Sequence, residues 1–337
     1  MPPNAWSLDL YWAPSGDPGV AGGGIWGTDS RAWLPSPAKG TPVPWMDGAA
    51  GHFIGSSGGT VTLGSAITAT NINFDPPASS FTINTNANVL FLEGTGIVND
   101  SGRTQTINNN AGGQTRFSAT SSAGSATITN GGAVGGAVKG STSFFGTSTA
   151  GTATITNNGG TVAGAFGGST LFMDTSDGGT ARAITNGNGG FDISGLTTAG
   201  MAIGSIEGSG DYFLGSKTLT VGGNDLSTTV SGTIQDGGNE GGVGGKLTKV
   251  GTGTLTLTGA NTYSGGTNLN GGILAVNANA NLGTGPLNFN GGTLEARAAG
   301  GGLTSAKGIS LGLGGEPFWK TFSAAAPGLA PRASASA

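Results

Sequence analysis

The sequence predicts an all-β fold in which short strands coil into a solenoid, and three of its features lead to that prediction. Near-identical units recur at steps of 20 to 28 residues, which is the length of one solenoid turn. Within each unit, apolar residues alternate with polar ones, as in a strand that buries one face. Pairs of Gly and Asn, which adopt positive φ at little cost, separate the strands. A hairpin array would show the same strands and turns, but the spacing of the units favours a β-helix.

The middle of the chain contains the clearest repeats. Residues 118–130 are followed 27 residues later by residues 146–157, and both units contain Ala-Thr-Ile-Thr-Asn. A third copy, residues 175–186, follows at a step of 28 to 29, and a weaker copy, residues 105–109, lies upstream. Near the C-terminus, residues 270–276 recur 20 residues later. Each of the three strong copies follows an aromatic residue at a matching distance: Phe117, Phe144 and Phe172.

Equivalent side chains of successive copies are predicted to form columns along the solenoid. Neighbouring strands lie about 4.8 Å apart, so residues in register stack directly on one another. Stacked Asn side chains satisfy each other's amides up and down such a column. The predicted columns are an inner apolar ladder of Ile128, Ile155 and Ile184 and a turn ladder of Asn130, Asn157 and Asn186.

The two ends of the chain differ from its middle in composition. Five of the six Trp fall in residues 1–48, together with many of the Pro residues. Solenoids need atypical terminal segments that cover the open end of the core, so we expect this segment to be an N-terminal cap. Residues 49–315 are predicted to form the solenoid, and the Ala/Pro/Ser-rich residues 316–337 a disordered tail.

Charge and cysteine content argue against several classes of function. Charged residues make up only 9% of the chain, its net charge is −4, and Lys and Arg are not clustered, so a nucleic-acid partner is not expected. The absence of Cys excludes a disulfide framework, a thiolate metal site and a cysteine nucleophile. No apolar run is long enough for a transmembrane helix, and no secretory signal is visible at the N-terminus.

A family resemblance becomes specific in residues 245–267. Their sequence, Gly-Lys-Leu-Thr-Lys-Val-Gly-Thr-Gly-Thr-Leu-Thr-Leu-Thr-Gly-Ala-Asn-Thr-Tyr-Ser-Gly-Gly-Thr, closely resembles the autotransporter-associated β-strand repeat, also called the passenger-associated transport repeat. Residues 268–274 look like its usual continuation, and a weaker likeness covers roughly residues 8–315. The resemblance implies a right-handed parallel β-helix that is secreted through a C-terminal membrane barrel to the cell surface or beyond. The ten-residue alternating strands of such a barrel are not visible, which a truncated or frame-shifted gene would explain.

Few side chains are candidates for catalysis. His52 is the only histidine, and no Gly-x-Ser-x-Gly elbow accompanies it, so we expect a packed or surface histidine rather than a catalytic base. A carbohydrate-active β-helix would need a pair of carboxylates in an aromatic-lined groove. Asp174 with Asp177, and Asp211 with Asp225, are the pairs to consider, but aromatic residues are concentrated in the N-terminal segment.

Binding sites for metals, cofactors and sugars are not predicted either. Residues 222–226 and 237–240 superficially resemble calcium-binding Gly-Gly turns, but such sites need tandem copies, so turn formation is favoured. The grouped Trp residues are expected to be buried in the cap rather than to stack on sugars. The sequence thus predicts no catalytic, cofactor or metal site.

These observations predict a non-enzymatic autotransporter passenger fragment, surface-displayed or secreted, that acts as a structural or adhesive stalk. The expected partners are glycans or proteins of a host surface or matrix, or other copies of the chain. Two alternatives stay open: a β-helix polysaccharide lyase or hydrolase, and a truncated gene product without function.

Overall fold

The computed structural model describes residues 8–135 and 138–297, together with the backbone of two further strands at 309–311 and 323–324. The predicted tail, residues 316–337, otherwise lies outside the described residues. Two short 3-10 helices, Pro18–Val20 and Asn279–Leu282, interrupt a chain of strands. The strands are β1 (Asp9–Trp12), β2 (Gly24–Trp26), β3 (Arg31–Leu34), β4 (Val43–Pro44), β5 (Ala49–Phe53), β6 (Gly59–Leu63), β7 (Ile67–Phe74), β8 (Phe81–Asn84), β9 (Val89–Asn99), β10 (Thr106–Asn109), β11 (Gln114–Phe117), β12 (Thr127–Asn130), β13 (Ser141–Phe144), β14 (Thr154–Asn157), β15 (Ser169–Asp174), β16 (Arg182–Thr185), β17 (Gly190–Leu196), β18 (Gly200–Ile203), β19 (Ser205–Gly208), β20 (Asp211–Phe213), β21 (Thr218–Val221), β22 (Thr228–Val230), β23 (Ile234–Gln235), β24 (Lys246–Lys249), β25 (Thr254–Leu257), β26 (Gly266–Leu269), β27 (Ile273–Val276), β28 (Leu287–Phe289), β29 (Thr293–Ala296), β30 (Ile309–Leu311) and β31 (Ser323–Ala324).

The strands form three long sheets that run along the molecule. The first has the order β23-β20-β17-β15-β13-β11-β9-β7-β5-β1-β3-β4, the second β2-β6-β8-β10-β12-β14-β16-β19-β22-β25-β27-β29-β31, and the third β18-β21-β24-β26-β28-β30. From β5 onward every strand pairing is parallel and joins strands of successive turns, so this part of the chain coils rather than folding into hairpins. The predicted all-β parallel β-solenoid is confirmed. No helix among the described residues is long and apolar enough to cross a membrane.

The middle repeats stack in register, as predicted. In the second sheet, Ile107, Ile128 and Ile155 are paired residue for residue and are fully buried. In the first sheet, the rings of Phe117, Phe144 and Phe172 lie above one another, with centroids 4.9 and 4.6 Å apart and planes 8° apart. A thin core of stacked columns therefore runs the length of the solenoid.

The predicted ladders are wrong at their third member. Ala183, not Ile184, pairs with Ile155, and Ile184 lies opposite Thr156 on the outer face. The inward Ala153 and Ala181 occupy equivalent buried positions, but the third copy has one more residue between this Ala and its Asn. Since side chains alternate with period two, that single residue moves Ile184 to the opposite face.

Asn130 and Asn157 stack as predicted, but they belong to a larger buried network. Nδ2 of Asn109 donates to Oδ1 of Asn130 at 2.8 Å, and Nδ2 of Asn130 donates to Oδ1 of Asn157 at 2.7 Å. The hydroxyls of Thr142 and Thr170, from the facing sheet, donate to the same amide oxygens. The polar atoms of the column are hydrogen-bonded to one another and to these hydroxyls, so their burial costs little free energy. Asn186 lies outside this column and donates to Asn158 instead, which corrects the prediction at this position.

The Trp-rich segment closes one end of the first sheet. Its strands β3 and β4 pair antiparallel, and β3 also pairs antiparallel with β1. The segment also supplies β1 and β2 as parallel neighbours of β5 and β6, so it merges with the solenoid. We propose that residues 1–48 act as a cap, as the sequence predicts. Four of its indoles are buried and pack with ring centroids about 5 Å apart: Trp12, Trp26, Trp33 and Trp45.

The cross-section of the solenoid changes after β23, where the first sheet ends. From β24 onward the chain alternates between the third and second sheets, and equivalent residues such as Leu255 and Leu274 are paired. The motif Asn-Thr-Tyr-Ser-Gly-Gly lies between β25 and β26. Its Asn261 accepts from the amide of Ile234 on one turn and donates to the carbonyl of Asn281 on the next, and its Tyr263 is buried. The motif therefore links consecutive turns by hydrogen bonds at the corner where the first sheet has ended.

Candidate interaction surface

Two successive turns carry unusually long connections between the second and first sheets. The connection from β12 to β13 spans residues 131–140, and that from β14 to β15 spans residues 158–168. The turns on either side close the same corner with four residues each, at 110–113 and 186–189. The described residues of these connections that have no counterpart in the short turns, among them Val134, Val162 and Phe166, therefore extend beyond the wall of the solenoid. We call the described residues of the two connections, 131–135 with 138–140 and 158–168, the double loop.

Hydrogen bonds give the double loop a defined base. The amide of Gly140 donates to the carbonyl of Gly131, and the amide of Gly168 donates to the carbonyl of Asn158, both at 2.8 Å. These two bonds close each loop at its neck. From the following turn, Nδ2 of Asn188 donates to the carbonyl of Ala165 at 2.7 Å.

The two loops also bind to each other. The amide of Ala133 donates to the carbonyl of Phe166 at 2.8 Å, and the amide of Thr161 donates to the carbonyl of Ala133 at 3.1 Å. Val134 and Val162 directly follow these paired residues in the chain, so they lie close together.

Large apolar side chains are exposed on this paired structure. Val134, Val138, Val162 and Phe166 are 61%, 65%, 51% and 73% exposed. Isolated exposed apolar residues are common on soluble proteins, whereas a group of them on one projection indicates an interaction site. Val138 lies against Gly112 of the preceding turn, so we call the side chains of Val134, Val162 and Phe166 the apolar tip.

His52 lies at the other end of the solenoid, on the outer face of the first sheet. Its Nδ1 is 2.6 Å from a carboxylate oxygen of Asp75, and its Nε2 is 3.3 Å from Nδ2 of Asn73. The ring stacks on Tyr11 at a centroid distance of 4.8 Å. Burial of Tyr11, with the nearby Asp9 and Asp75, raises the pKa of its phenol. Among the described residues no serine hydroxyl is hydrogen-bonded to His52, so the arrangement links neighbouring strands and does not resemble a catalytic triad.

The carboxylates considered for glycoside chemistry bind backbone amides instead. Asp174 accepts from Gly146 at 2.9 Å, and Asp177 accepts from Gly179 at 2.7 Å and from Ala202 at 3.1 Å. A carboxylate that is occupied by backbone donors in this way connects two turns.

The second pair is not brought together. Asp211 lies in the first sheet, where burial raises its pKa. Asp225 lies between the third and second sheets and accepts from the amide of Thr252 at 2.6 Å, a bond that lowers its pKa.

The Gly-rich segments that resemble calcium turns are held by protein groups. Two amides of the loop at residues 236–245, those of Asn239 and Glu240, donate to the carboxylate of Asp192 and to the hydroxyl of Ser194, at 2.7 and 3.1 Å. No cluster of three or more potential metal ligands occurs among the described residues. A recess beside Met173 and Glu240 has a volume of only about 10 Å³, far below the roughly 300–1,000 Å³ of a typical ligand pocket.

The double loop was not predicted, although the sequence contains a signal for it. Residues 131–140 and 158–168 repeat a pattern of Gly with Ala, Val and Phe where neighbouring units have only a short Gly/Asn turn. Comparison of the connections, rather than of the strands, would have identified this departure from the repeat.

In the comparison with known proteins, a segment of the C-terminal turns matches a described family. Residues 247–276 match the Passenger-associated-transport-repeat family, and they extend from β24 to the end of β27. The chain is 42% identical over 96 residues to a Brucella suis biovar 1 (strain 1330) protein called Adhesin BmaC autotransporter. The match covers 26% of this chain and 3% of that protein, so the chain spans only a small part of its relative. No solved structure matches the chain.

Proposed function

We propose that this chain, an autotransporter passenger with passenger-associated transport repeats, is a non-enzymatic adhesive stalk. The stalk would be displayed at the cell surface or secreted. The double loop carries the proposal. It is a projection with an apolar tip, held to the wall of the solenoid by hydrogen bonds, as a contact element on a stalk would be. The relative named an adhesin supports the same function, although the match covers only 3% of that protein.

The wall of the solenoid suits a stalk rather than an enzyme. The carboxylates of Asp174, Asp177 and Asp225 are engaged by backbone amides, and both ring nitrogens of His52 lie close to polar neighbours. These groups would have to give up contacts between turns before they could act on a substrate. We therefore expect the chain to bind partners without transforming them.

The partners that we propose are components of a host surface or matrix. The outer face of the repeats is rich in Thr, Ser and Asn, which form shallow, uncharged rows of hydrogen-bonding side chains. In such rows Thr127 is paired with Thr154, and Thr129 with Thr156. Such rows give weak contacts individually, so the apolar tip is expected to contribute most of the binding free energy.

An adhesion assay with a loop replacement tests the proposal. Beads coated with the full chain are compared with beads coated with a variant in which the sequence of residues 110–113 replaces 131–140 and that of 186–189 replaces 158–168. Because the neighbouring turns close this corner with those sequences, the solenoid should persist, and circular dichroism should confirm it. We expect wild-type beads to adhere to cultured epithelial cells and the variant to lose most of that adhesion. Equal adhesion of the two, or none by the wild type, would contradict the proposal.

A further inference from the structure

The outer face of the second sheet carries a regular grid of polar side chains, most of them Thr. Five successive strands, β6, β8, β10, β12 and β14, pair without a register shift and turn polar side chains outward at the same two positions. The side chains form two rows along the solenoid. The first row consists of Thr60, Thr82, Thr106, Thr127 and Thr154, and the second of Thr62, Asn84, Asn108, Thr129 and Thr156. We call these ten residues the Thr grid.

The eight Thr hydroxyls of the Thr grid are available to a partner outside the protein. All ten residues of the grid are at least partly exposed, whereas the residues between the two rows, such as Ile107 and Ile128, are buried. None of the eight hydroxyls is hydrogen-bonded to another of the described residues. The two amides bind each other, since Nδ2 of Asn108 donates to Oδ1 of Asn84 at 3.0 Å. The grid therefore presents free hydroxyls to the solvent in a fixed order.

The rows of the Thr grid are straight and evenly spaced. Neighbouring strands lie about 4.8 Å apart, and residues i and i+2 of one strand lie about 6.7 Å apart. Strands usually rotate by roughly 20–25° from one to the next, which would fan the rows out. In the same turns, however, the rings of Phe117, Phe144 and Phe172 lie within 8° of parallel, so successive turns are related almost by translation. The Thr grid is thus a lattice that repeats in two directions.

The composition and period of the Thr grid indicate what it can bind. The grid contains no charged residue, and the first charge along its rows, Arg182, lies one strand beyond Thr154. It also contains no aromatic ring on which a sugar could stack. A protein partner would need matching shape, whereas a crystal surface needs a matching period. The two spacings of the grid are close to the two repeats of a prism face of hexagonal ice, in which each water both donates and accepts hydrogen bonds, as a Thr hydroxyl does.

We propose that the Thr grid binds ice, with the Thr hydroxyls at water positions of the ice lattice and the Thr methyl groups in the spaces between them. This inference goes beyond the adhesive function, because it assigns a separate activity to the wall of the solenoid and does not involve the double loop. One hydroxyl contributes little, since its bond to ice replaces a bond to liquid water. The stiff, β-branched Thr side chains are already held in place by the sheet, so the whole grid binds ice without losing much further conformational entropy.

Incorporation of the full chain into growing ice tests the inference. Ice is grown slowly in a dilute solution of the fluorescently labelled chain, and the label in the ice is compared with the label in the remaining liquid. Growing ice excludes ordinary solutes, so labelled serum albumin gives the background. We expect the concentration of the chain in the ice to exceed this background several-fold. The chain should also slow the recrystallisation of ice grains in a frozen sucrose solution.

Two substitutions separate the Thr grid from outward Thr residues in general. Thr106→Lys places a long, charged side chain at the centre of the first row, where it would hold the ice surface away from Thr82 and Thr127. We expect its incorporation to fall to the albumin background. Thr220→Lys is the matched control, because Thr220 also lies partly exposed on a strand, β21, but in the third sheet and outside the grid. It should enter ice as the wild type does, and circular dichroism should show that both variants keep the fold.

The outcomes distinguish this inference from the proposed function. Wild type at the albumin background, or equal incorporation of Thr106→Lys and Thr220→Lys, overturns the inference. The loop replacement that tests adhesion leaves the Thr grid in place, so that variant should enter ice as the wild type does. Adhesion to cells without incorporation into ice rejects the ice-binding role alone, and incorporation into ice without adhesion rejects the adhesive function alone.

Discussion

At the scale of single residues, side chains alternate along each strand between the core and the outer face. This alternation determines which substitutions a given position tolerates. Ile155 points into the core and is 1% exposed, while its neighbour Thr154 points outward and pairs with Thr127 and Arg182. Ile155→Asp would bury a charge without a partner between the side chains of Ile128 and Ala183. We expect it to cost about 3 kcal/mol or more in urea unfolding.

Thr154→Asp is the matched control for this substitution. The new carboxylate would lie in solvent beside Arg182, so its effect should stay within about 0.5 kcal/mol. Equal losses at the two positions would show that the strand does not alternate as the structure has it.

Residue chemistry also explains why Asn is so frequent in the chain. At the corner beside β12 and β14 the backbone groups already pair from turn to turn, as where the amide of Asn158 donates to the carbonyl of Asn130, so buried Asn side chains need side-chain partners. The amides of Asn109, Asn130 and Asn157 bind each other and the Thr hydroxyls of the facing sheet. The sequence predicted the Asn–Asn contact, because equal spacing in the repeat implies stacking. The Thr partners could not be predicted, because they depend on which strand of another sheet faces this corner.

At the scale of secondary-structure elements, the sequence predicts the strands. It does not always predict the register in which they pair. Copies that differ by whole repeats, such as those containing Ile128 and Ile155, stack as the sequence predicts. The third copy fails because one added residue can be absorbed before or after its strand. The burial of Ala181 and Ala183 shows where the added residue lies. The strand of the third copy begins at the position equivalent to the other copies, and the extra residue displaces its later residues.

The connections between elements were the least predictable part, and the candidate site lies in one of them. Period-two alternation identifies strands because one face is buried, but a projecting loop has no such constraint. The contacts of Ala133 with Phe166 and Thr161 depend on two loops that emerge one above the other. Their pairing follows from the solenoid and not from either loop alone.

The Gly-rich loop after β23 is held mainly by Asp236, which gives a pH-dependent prediction. Burial alone would raise its pKa, but bonds from the Ser264 hydroxyl and from the amides of Gly244, Ser264 and Gly245 lower it. The stabilisation is present above the unfolded pKa near 4 and is lost as pH falls through the lower folded value. Asp236→Asn should cost about 1–3 kcal/mol at neutral pH and flatten the loss of stability in acid.

Urea unfolding midpoints of wild type and Asp236→Asn, measured between neutral and acidic pH, would check this prediction. Asp211→Asn is a control for which the opposite effect of pH on stability is expected. Burial raises the pKa of Asp211, so its ionisation opposes folding as pH rises past about 4. Removing it should improve stability near neutral pH relative to acid. An acid limb that is unchanged in Asp236→Asn would show that this carboxylate does not anchor the loop.

At the scale of the whole molecule, each turn contacts mainly the turns before and after it. The sheets run the length of the solenoid, and each strand is hydrogen-bonded to equivalents one turn away. In such a structure the free energy of unfolding is approximately a sum over turns and over interfaces between neighbours. The interface term implies that mutations in adjacent turns should interact energetically, whereas mutations far apart should not.

A double-mutant cycle tests this at three positions of the second sheet. Ile128 and Ile155 are paired neighbours in the core, whereas Leu255 lies several strands away in the same sheet. Ile128→Ala and Ile155→Ala remove packing from one shared interface, so their combined cost should differ from the sum of the single costs by about 0.5 kcal/mol or more. Ile155→Ala and Leu255→Ala share no interface and should add within about 0.5 kcal/mol. Strong coupling between the distant pair would mean that a change in one turn alters turns that it does not contact, and the description of the solenoid by nearest-neighbour interfaces would then be wrong.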